Sequence, residues 1–231
     1  MLHWIKDVID LIIPHTCVSC DSNIIEPAPG LCGRCIHKIQ VLPRNCDHEL
    51  TLRLRKHTNQ VDSSMALMYF EQHGVSQHLL HKIKYKHGEH LARHWGRYLG
   101  ERIRSTGSWS DETFSMLIPV PMHKRRKRRR GYNAPLHIAY GIQEALGSNA
   151  LVSPSALVRV KHSKSQTTAD FNQRYQRLEG SYLANPMQDQ PDAIILIDDV
   201  ITSTSTMSHC TEALRRVFRC PIYAVALAFT P

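Results

Sequence analysis

The sequence lacks a hydrophobic run long enough to cross a membrane, since its longest apolar tract falls well short of the roughly 20 residues that a spanning helix needs. Segment 1–13 imitates a signal peptide, but Lys6, Asp7 and Asp10 interrupt it and no small-residue cleavage site follows. Its apolar residues recur on one helical face. This favours an amphipathic lead-in helix, with a membrane-surface role as the alternative, and we expect no membrane insertion.

A secretion signal is therefore also lacking, although the 231-residue chain contains seven cysteines. In such a chain the cysteines predict a reducing compartment, where paired spacings bind metal more often than they form disulfides. The expected location is the cytoplasm. Two Cys-x-x-Cys knuckles separated by eleven residues can present four thiolates to one tetrahedral Zn²⁺. The predicted zinc ligands are Cys17, Cys20, Cys32 and Cys35.

Two weaker interpretations of the cysteines remain open. A redox pair is the alternative to the zinc site. Cys46 has no downstream partner cysteine, so we favour a small core residue or the remnant of a third knuckle over a second metal site.

Basic residues are concentrated in one uninterrupted run, residues 124–130, which supplies +7 of the net charge of +9. Seven like charges need either open solvent or an anion. The run follows a short apolar strand, 115–121, and the carboxyl end of a strand is where open α/β sheets bind ligands. We therefore expect the run to be a loop that leaves this strand, and a phosphate clamp is favoured over a merely solvated loop.

A second distinctive segment begins with four aliphatic residues, 194–197, which predict a strand buried on both faces of a parallel sheet. Asp198 and Asp199 are expected to end this strand, and five hydroxyl residues precede a helical pattern. Amides at a helix N-terminus form a phosphate cradle, and carboxylates accept hydrogen bonds from a ribose diol. A capped helix without a ligand is the structural alternative. The candidate cradle is Thr202, Ser203, Thr204, Ser205 and Thr206.

This segment resembles the phosphoribosyl pyrophosphate (PRPP) signature of type I phosphoribosyltransferases, in which an acid pair precedes a Thr-Thr-Gly-x-Thr loop. Thr204 stands at that family's glycine position. Glycine permits unusual backbone angles and close approach of a phosphate, so a β-branched residue is expected to weaken 5-phosphate binding.

Residues 119–121 (Pro-Val-Pro) and 130–133 (Arg-Gly-Tyr-Asn) look like the hallmark of the competence protein F family. That family joins an N-terminal zinc ribbon to a type I phosphoribosyltransferase-like domain. Segments 81–86 and 157–180 are similar to two further blocks of the family, so the resemblance covers nearly the whole chain. It departs at Thr204, at Arg177, and after Cys46, where the third cysteine pair is incomplete.

The resemblance implies Mg²⁺-dependent displacement of pyrophosphate from PRPP by an acceptor that the sequence does not identify. By this comparison Asp198 and Asp199 are catalytic and hold the ribose hydroxyls, while residues 202–206 hold the 5-phosphate. Pyrophosphate would bind at Arg129, Arg130 and Gly131. The alternative is a non-catalytic module that binds PRPP as a signal, single-stranded DNA or competence proteins.

The alternation of predicted strands and helices indicates an α/β fold with a doubly wound, mostly parallel sheet of the type I phosphoribosyltransferase kind. A small N-terminal zinc ribbon with four cysteine ligands precedes it. We expect residues 1–62 to contain the lead-in helix, the ribbon and a polar linker over 47–62, and residues 63–231 to form the phosphoribosyltransferase-like domain.

Overall fold

The computed structural model describes residues 16–24, 29–56, 58, 60–85, 88–106, 115–160, 178–187, 190–202 and 204–231. The strands are β1 (Ser63–Tyr69), β2 (Ser115–Pro119), β3 (Ala150–Val152), β4 (Leu157–Arg159), β5 (Tyr182–Ala184), β6 (Ala193–Ile201) and β7 (Ile222–Phe229). The helices are α1 (Gly33–Ile36), α2 (Cys46–Arg55), α3 (Val75–Lys84), α4 (Glu89–Arg104), α5 (Lys124–Arg130), α6 (Ala134–Leu146) and α7 (Ser205–Arg215). The predicted lead-in helix lies outside the described residues.

Five strands form one parallel sheet in the order β1-β7-β6-β2-β3, while β4 and β5 form a separate antiparallel pair. Residues 193–197 of the central strand β6 are fully buried, as expected for a strand covered on both faces. Helices flank the sheet, so the predicted α/β fold is confirmed.

Successive side chains of each strand point to opposite faces of the sheet and contribute to two separate hydrophobic cores. Ile195 and Ile197 of β6 point into the core that contains the buried faces of α3, α4 and α6. Ile194 and Leu196 point into the opposite core, which contains α2, α7 and the β4–β5 pair. Within the first core α4 and α6 approach closely, because a Cβ on Gly141 would lie 1.9 Å from the Arg93 carbonyl oxygen.

The connections place a crevice between β2 and β6. From β2 the chain continues through α6 to β3 at one edge of the sheet. From β6 it continues through α7 to β7, which lies on the side of the other edge strand, β1. Because α6 and α7 cover opposite faces, the direction of winding reverses between these two neighbouring strands. In open α/β sheets, ligands bind outside the carboxyl ends of the strands at this point.

The segment predicted to be a linker contains a helix. In α2, Leu50 and Leu54 lie one turn apart and are fully buried in the second core. Arg102 of α4 donates to the Leu42 carbonyl oxygen at 2.6 Å and pairs with Asp47 at 2.8 Å. The leucines at positions 50, 52 and 54 alternate with polar residues, which is not a helical pattern, and this explains the difference. The division of the chain at residues 62 and 63 stays a prediction.

No helix in the described part of the chain combines the length and the hydropathy that crossing a membrane requires.

Candidate functional site

The acid pair lies inside the second half of β6, since the strand continues to Ile201 and does not end at the acid pair as the sequence predicts. Consecutive residues of a strand point to opposite faces of the sheet. Asp198 lies near Tyr182 and Cys210 in the core that contains α7, whereas Asp199 points toward α3 on the other side. The two carboxylates therefore border the crevice from opposite sides of the sheet.

Different partners act on the two carboxylates. The Nζ atom of Lys84, the last residue of α3, lies 3.1 Å from Oδ1 of Asp199. Burial is the largest cause that raises the pKa of Asp198 to about 7, and the charge of Asp199 raises it further. The Asp199 amide, Lys84 and Arg159 oppose this rise. The Asp198 carboxyl therefore titrates near neutral pH.

The hydroxyl residues after β6 split into two groups. Thr202 and Thr206 line a cavity of about 200 Å³ at the carboxyl ends of β2 and β6. Thr204 and Ser205 are buried below the loop, and Ser203 lies outside the described residues. Helix α7 begins at Ser205, so its first amides lie beside the two cavity-lining hydroxyls, in the arrangement that favours an anion.

Thr204 has an ordinary right-handed backbone conformation, with φ −68° and ψ −11°. The unusual backbone angles that glycine allows are therefore not used here. The side chain is 3% exposed, and its Oγ1 atom has no hydrogen-bond partner among the residues that the structure describes. The Thr204 carbonyl oxygen accepts hydrogen bonds from the amide and hydroxyl of Ser208. Thr204 therefore packs inward, and its hydroxyl has no hydrogen-bond partner among the described residues.

The basic run forms a short helix, α5, and not the loop that the sequence predicts. Arg126 and Arg130 lie one turn apart, are half-buried and line the cavity. The other residues of α5, Arg129 included, are exposed. Gly131 has φ +93° and ends the helix in a conformation that glycine adopts readily, and it does not line the cavity. One helix therefore has a cavity face and a solvent face.

The positive charges in the cavity are crowded. Burial, followed by the charges of Arg130 and Arg159, lowers the pKa of Arg126. The buried Nε atom of Arg130 has no hydrogen-bond partner in the described structure. Close cations with unused donors favour an anion as the missing component.

The cavity-lining residues that are not among the predicted site residues include Lys84, Arg159 and Tyr182. The guanidinium of Arg159 lies 5.4 Å from the centre of the Tyr182 ring, across the β4–β5 pair. Lys84 and Arg159 fall within the two blocks, 81–86 and 157–180, that resemble the competence protein F family. That resemblance was the signal that could have identified them.

Tyr132 connects α3 to the segment that follows the basic helix. Its hydroxyl donates to the carbonyl oxygens of Ile83 and Tyr85, and burial raises its pKa far above the usual value. The Arg130 guanidinium lies 5.4 Å from the centre of the Tyr85 ring. These contacts fix the end of α3, and with it Lys84, beside the cavity.

The four cysteines of the two knuckles lie together, with their sulfur atoms all within 4.8 Å of one another. The sulfur atoms of Cys20 and Cys32 are 3.7 Å apart. Tetrahedral zinc with bonds of about 2.3 Å requires separations of about 3.8 Å, so the cluster fits a metal such as zinc. A hydrogen bond from Ser22 is the largest cause that lowers the pKa of Cys32, to about 6, whereas burial is the largest cause that raises the pKa of Cys35, to about 12. A bound metal would favour the thiolate form of all four cysteines.

Cys46 lies apart from this cluster. It is half-buried at the edge of the second core, and the Tyr69 hydroxyl donates to its sulfur at 3.4 Å. The described residues bring no second group of metal ligands together around it.

The chain was compared with known proteins. No model of a known protein family matches it. Competence protein F of Haemophilus influenzae is 26% identical to it over 210 residues, and the match covers 87% of this chain and 91% of that protein. The resemblance predicted from the sequence is thereby confirmed, and this chain is similar to Competence protein F along nearly its whole length.

Proposed function

We propose that the cavity binds PRPP and that the chain is a phosphoribosyltransferase-like protein of the competence protein F type. The observation that carries this proposal is the set of groups around one cavity. An acid pair, two threonine hydroxyls at the start of α7 and four cations border it together. The cations are Lys84, Arg126, Arg130 and Arg159.

The roles follow from charge and position. Asp198 and Asp199 accept hydrogen bonds from the ribose hydroxyls, and Thr202 and Thr206 with the first amides of α7 bind the 5-phosphate. Arg130 and Arg126 bind pyrophosphate. The sequence-based assignment of Arg129 and Gly131 to pyrophosphate is weaker, because neither lines the cavity.

The proposed step replaces one bond at C1 of the ribose by another. The bond from C1 to the pyrophosphate oxygen breaks, and its electron pair leaves with pyrophosphate. A nitrogen lone pair of the acceptor forms the new bond, and the nitrogen then loses a proton to water. The cationic groups stabilise the departing charge, so positioning and electrostatics supply the catalysis.

Two metals belong to the proposal. Adjacent carboxylates at a phosphate site fit the few protein ligands that Mg²⁺ uses, and Mg²⁺ would neutralise charge on the substrate's phosphates. Zn²⁺ would be structural and held by the four clustered cysteines. None of the seven cysteines forms a disulfide, which agrees with the proposed cytoplasmic location.

Calorimetric titration with PRPP and Mg²⁺ tests the ribose-phosphate assignment. The native protein should release or absorb heat and gain thermal stability, and the double variant Asp198→Asn, Asp199→Asn should do neither. Glu101→Gln is the matched control, since Glu101 is an acidic residue outside the cavity that pairs only with Arg97 of its own helix in the described structure. If the native protein does not bind PRPP, the proposed ribose-phosphate site is wrong.

The solvent face of α5 favours a second candidate function, binding of single-stranded DNA. Its exposed residues are Lys124, Arg125, Lys127, Arg128 and Arg129, and cations on one surface give sequence-independent affinity that falls with salt. The name of the relative, Competence protein F, agrees with a link to DNA uptake.

Titration of labelled single-stranded DNA over a salt series tests this second candidate. Replacing Arg128 and Arg129 by Gln should weaken binding and reduce the slope of log affinity against log salt by about 1.4, or roughly 0.7 for each lost contact. The same change at Arg126 and Arg130 should leave the slope nearly unchanged. Equal slopes for the native protein and the Arg128/Arg129 variant would exclude the solvent face of α5.

A further inference from the structure

The ion pair between Lys84 and Asp199 has no role in the functions proposed so far. The two side chains are 26% and 12% exposed, and their charged atoms are 3.1 Å apart. Both residues line the cavity. An ammonium group therefore occupies the space next to the carboxylate where a cation-bearing ligand would enter.

The position of Lys84 is imposed by its surroundings. Residues on either side of it, Ile83 and Tyr85, present their carbonyl oxygens to the Tyr132 hydroxyl. Gly88 allows this close packing, since a Cβ there would lie 2.5 Å from that hydroxyl and 2.3 Å from the Lys82 carbonyl oxygen. The same segment therefore sets both the ion pair and the position of the chain just after the arginine-bearing helix α5.

We propose that Lys84 acts as an internal counter-cation for the acid pair. In the ligand-free protein its ammonium holds Asp199 and occupies the place of a divalent cation. The next step rests on the proposed binding of PRPP. When metal-bound PRPP enters, Lys84 releases Asp199 and pairs with phosphate oxygens. Free divalent cations are thus kept off the acid pair until they arrive with the phosphate ligand.

Charge and distance support this competition. A cation near Asp199 would have its charge close to the Lys84 ammonium, and like charges a few ångströms apart repel strongly at a partly buried site. Arg126, Arg130 and Arg159 add to this repulsion from the other walls of the cavity. A phosphate ligand reverses the balance, because it supplies the negative charge that the released lysine and the arginines need.

The test measures two affinities of the full-length protein that should change in opposite directions. Mn²⁺, which favours oxygen ligands over the thiolates of the cysteine cluster, is titrated without PRPP and followed by electron paramagnetic resonance. PRPP is titrated separately with Mg²⁺ present. For Lys84→Met we expect Mn²⁺ to bind about tenfold more tightly and PRPP about tenfold more weakly, the effect of removing one partly screened charge.

Two control variants separate this role from a structural one. Lys84→Arg keeps the charge and should retain both affinities within about twofold, a difference of less than 0.5 kcal/mol. Lys82→Met removes an exposed charge from the same helix, two residues away and outside the cavity, and should also leave both unchanged. Lys84→Gln provides a second neutral variant, and circular dichroism verifies that each variant is folded.

Each outcome decides between the two proposals. If Lys84→Met and Lys84→Gln bind Mn²⁺ no better than the native protein, or if Lys82→Met gives the same gain, the counter-cation role is wrong, whatever PRPP does. If the native protein binds no PRPP, the proposed function fails, and the Mn²⁺ comparison still decides whether Lys84 holds the acid pair.

Discussion

The cysteine cluster and the cavity both concentrate charged or ionisable groups, and the cavity contains compensating charges of its own. The cluster brings four sulfur atoms within 4.8 Å of one another, an arrangement that a metal ion would bridge. In the cavity, Lys84 pairs with Asp199, and three arginines border the same space. We infer that the ribbon needs a bound metal to stay folded, whereas the cavity stays folded without a ligand.

Removal of a cluster cysteine gives the largest expected effect on stability. Cys32→Ser should lose about one equivalent of zinc, and structural zinc contributes about 10–16 kcal/mol of apparent binding free energy in small domains. We expect the free energy of unfolding to fall by more than about 5 kcal/mol. Metal analysis and denaturant unfolding measure the two effects.

Cys220→Ser is the matched control, because Cys220 is half-buried against the second core and lies outside the cluster. It should retain the full metal content. If Cys32→Ser also retains the full metal content, the inference that the cluster binds the metal on which the ribbon depends is wrong.

Replacement of the cavity arginines should change ligand binding and leave the fold intact. Arg126→Gln with Arg130→Gln removes two charge-assisted contacts to phosphate, each worth about 1.5–3 kcal/mol, so PRPP affinity should fall by about 100-fold or more. Arg128→Gln with Arg129→Gln changes the same helix on its solvent face and should keep PRPP affinity within about threefold. Equal losses in both variants, measured by calorimetry, would mean that α5 acts only through its overall charge.

The cationic side chains of the cavity do not fully offset the effect of burial on Asp198. Its pKa is raised from 3.8 to about 7, so its protonated form is favoured by folding. The resulting stabilisation is complete below about pH 4 and is lost as the pH rises through 7. For Asp198→Asn we therefore expect a gain in stability relative to the native protein that grows between pH 4 and 8, to at most about 4 kcal/mol.

Urea unfolding of both proteins at several pH values measures this difference. Glu101→Gln is the control, since Glu101 is an acidic residue outside the cavity, and it should not reproduce the gain above pH 7. A stability difference between native protein and Asp198→Asn that is constant with pH would show that folding does not raise the pKa of Asp198.

The same contrast explains how much of each region the sequence could predict. All four cluster cysteines lie within 19 residues, so their spacing alone places them together. The cavity is assembled from segments that are far apart in the chain, and only the sheet order brings Lys84 and Arg159 to the acid pair. Residue spacing carries no information on such neighbours, which is why the sequence identifies the acid pair but not the lysine that holds it.

Local patterns failed where tertiary packing decides the outcome. The strand was expected to end at Asp198, but pairing with β7 continues to Ile201 and turns the two acids to opposite faces. The basic run was expected to be a loop, yet its residues have good helix propensity and form α5. The helical spacing of Arg126 and Arg130 then determines which cations of α5 reach the cavity.

Thr204 gives the smallest expected effect, and it tests whether the segment before α7 is already adapted to the absence of glycine. Its hydroxyl is buried without a described partner, and a buried unsatisfied polar group costs about 1–3 kcal/mol. Thr204→Val keeps the β-branched shape and removes that group, so it should be neutral or stabilise the protein by about 1 kcal/mol. Thr204→Gly should lower stability, because the backbone is helical here and gains nothing from glycine's freedom. If Thr204→Val destabilises the protein in urea unfolding by about 1 kcal/mol or more, a hydrogen bond to that hydroxyl exists in solution, and the loop is held more tightly than its described contacts require.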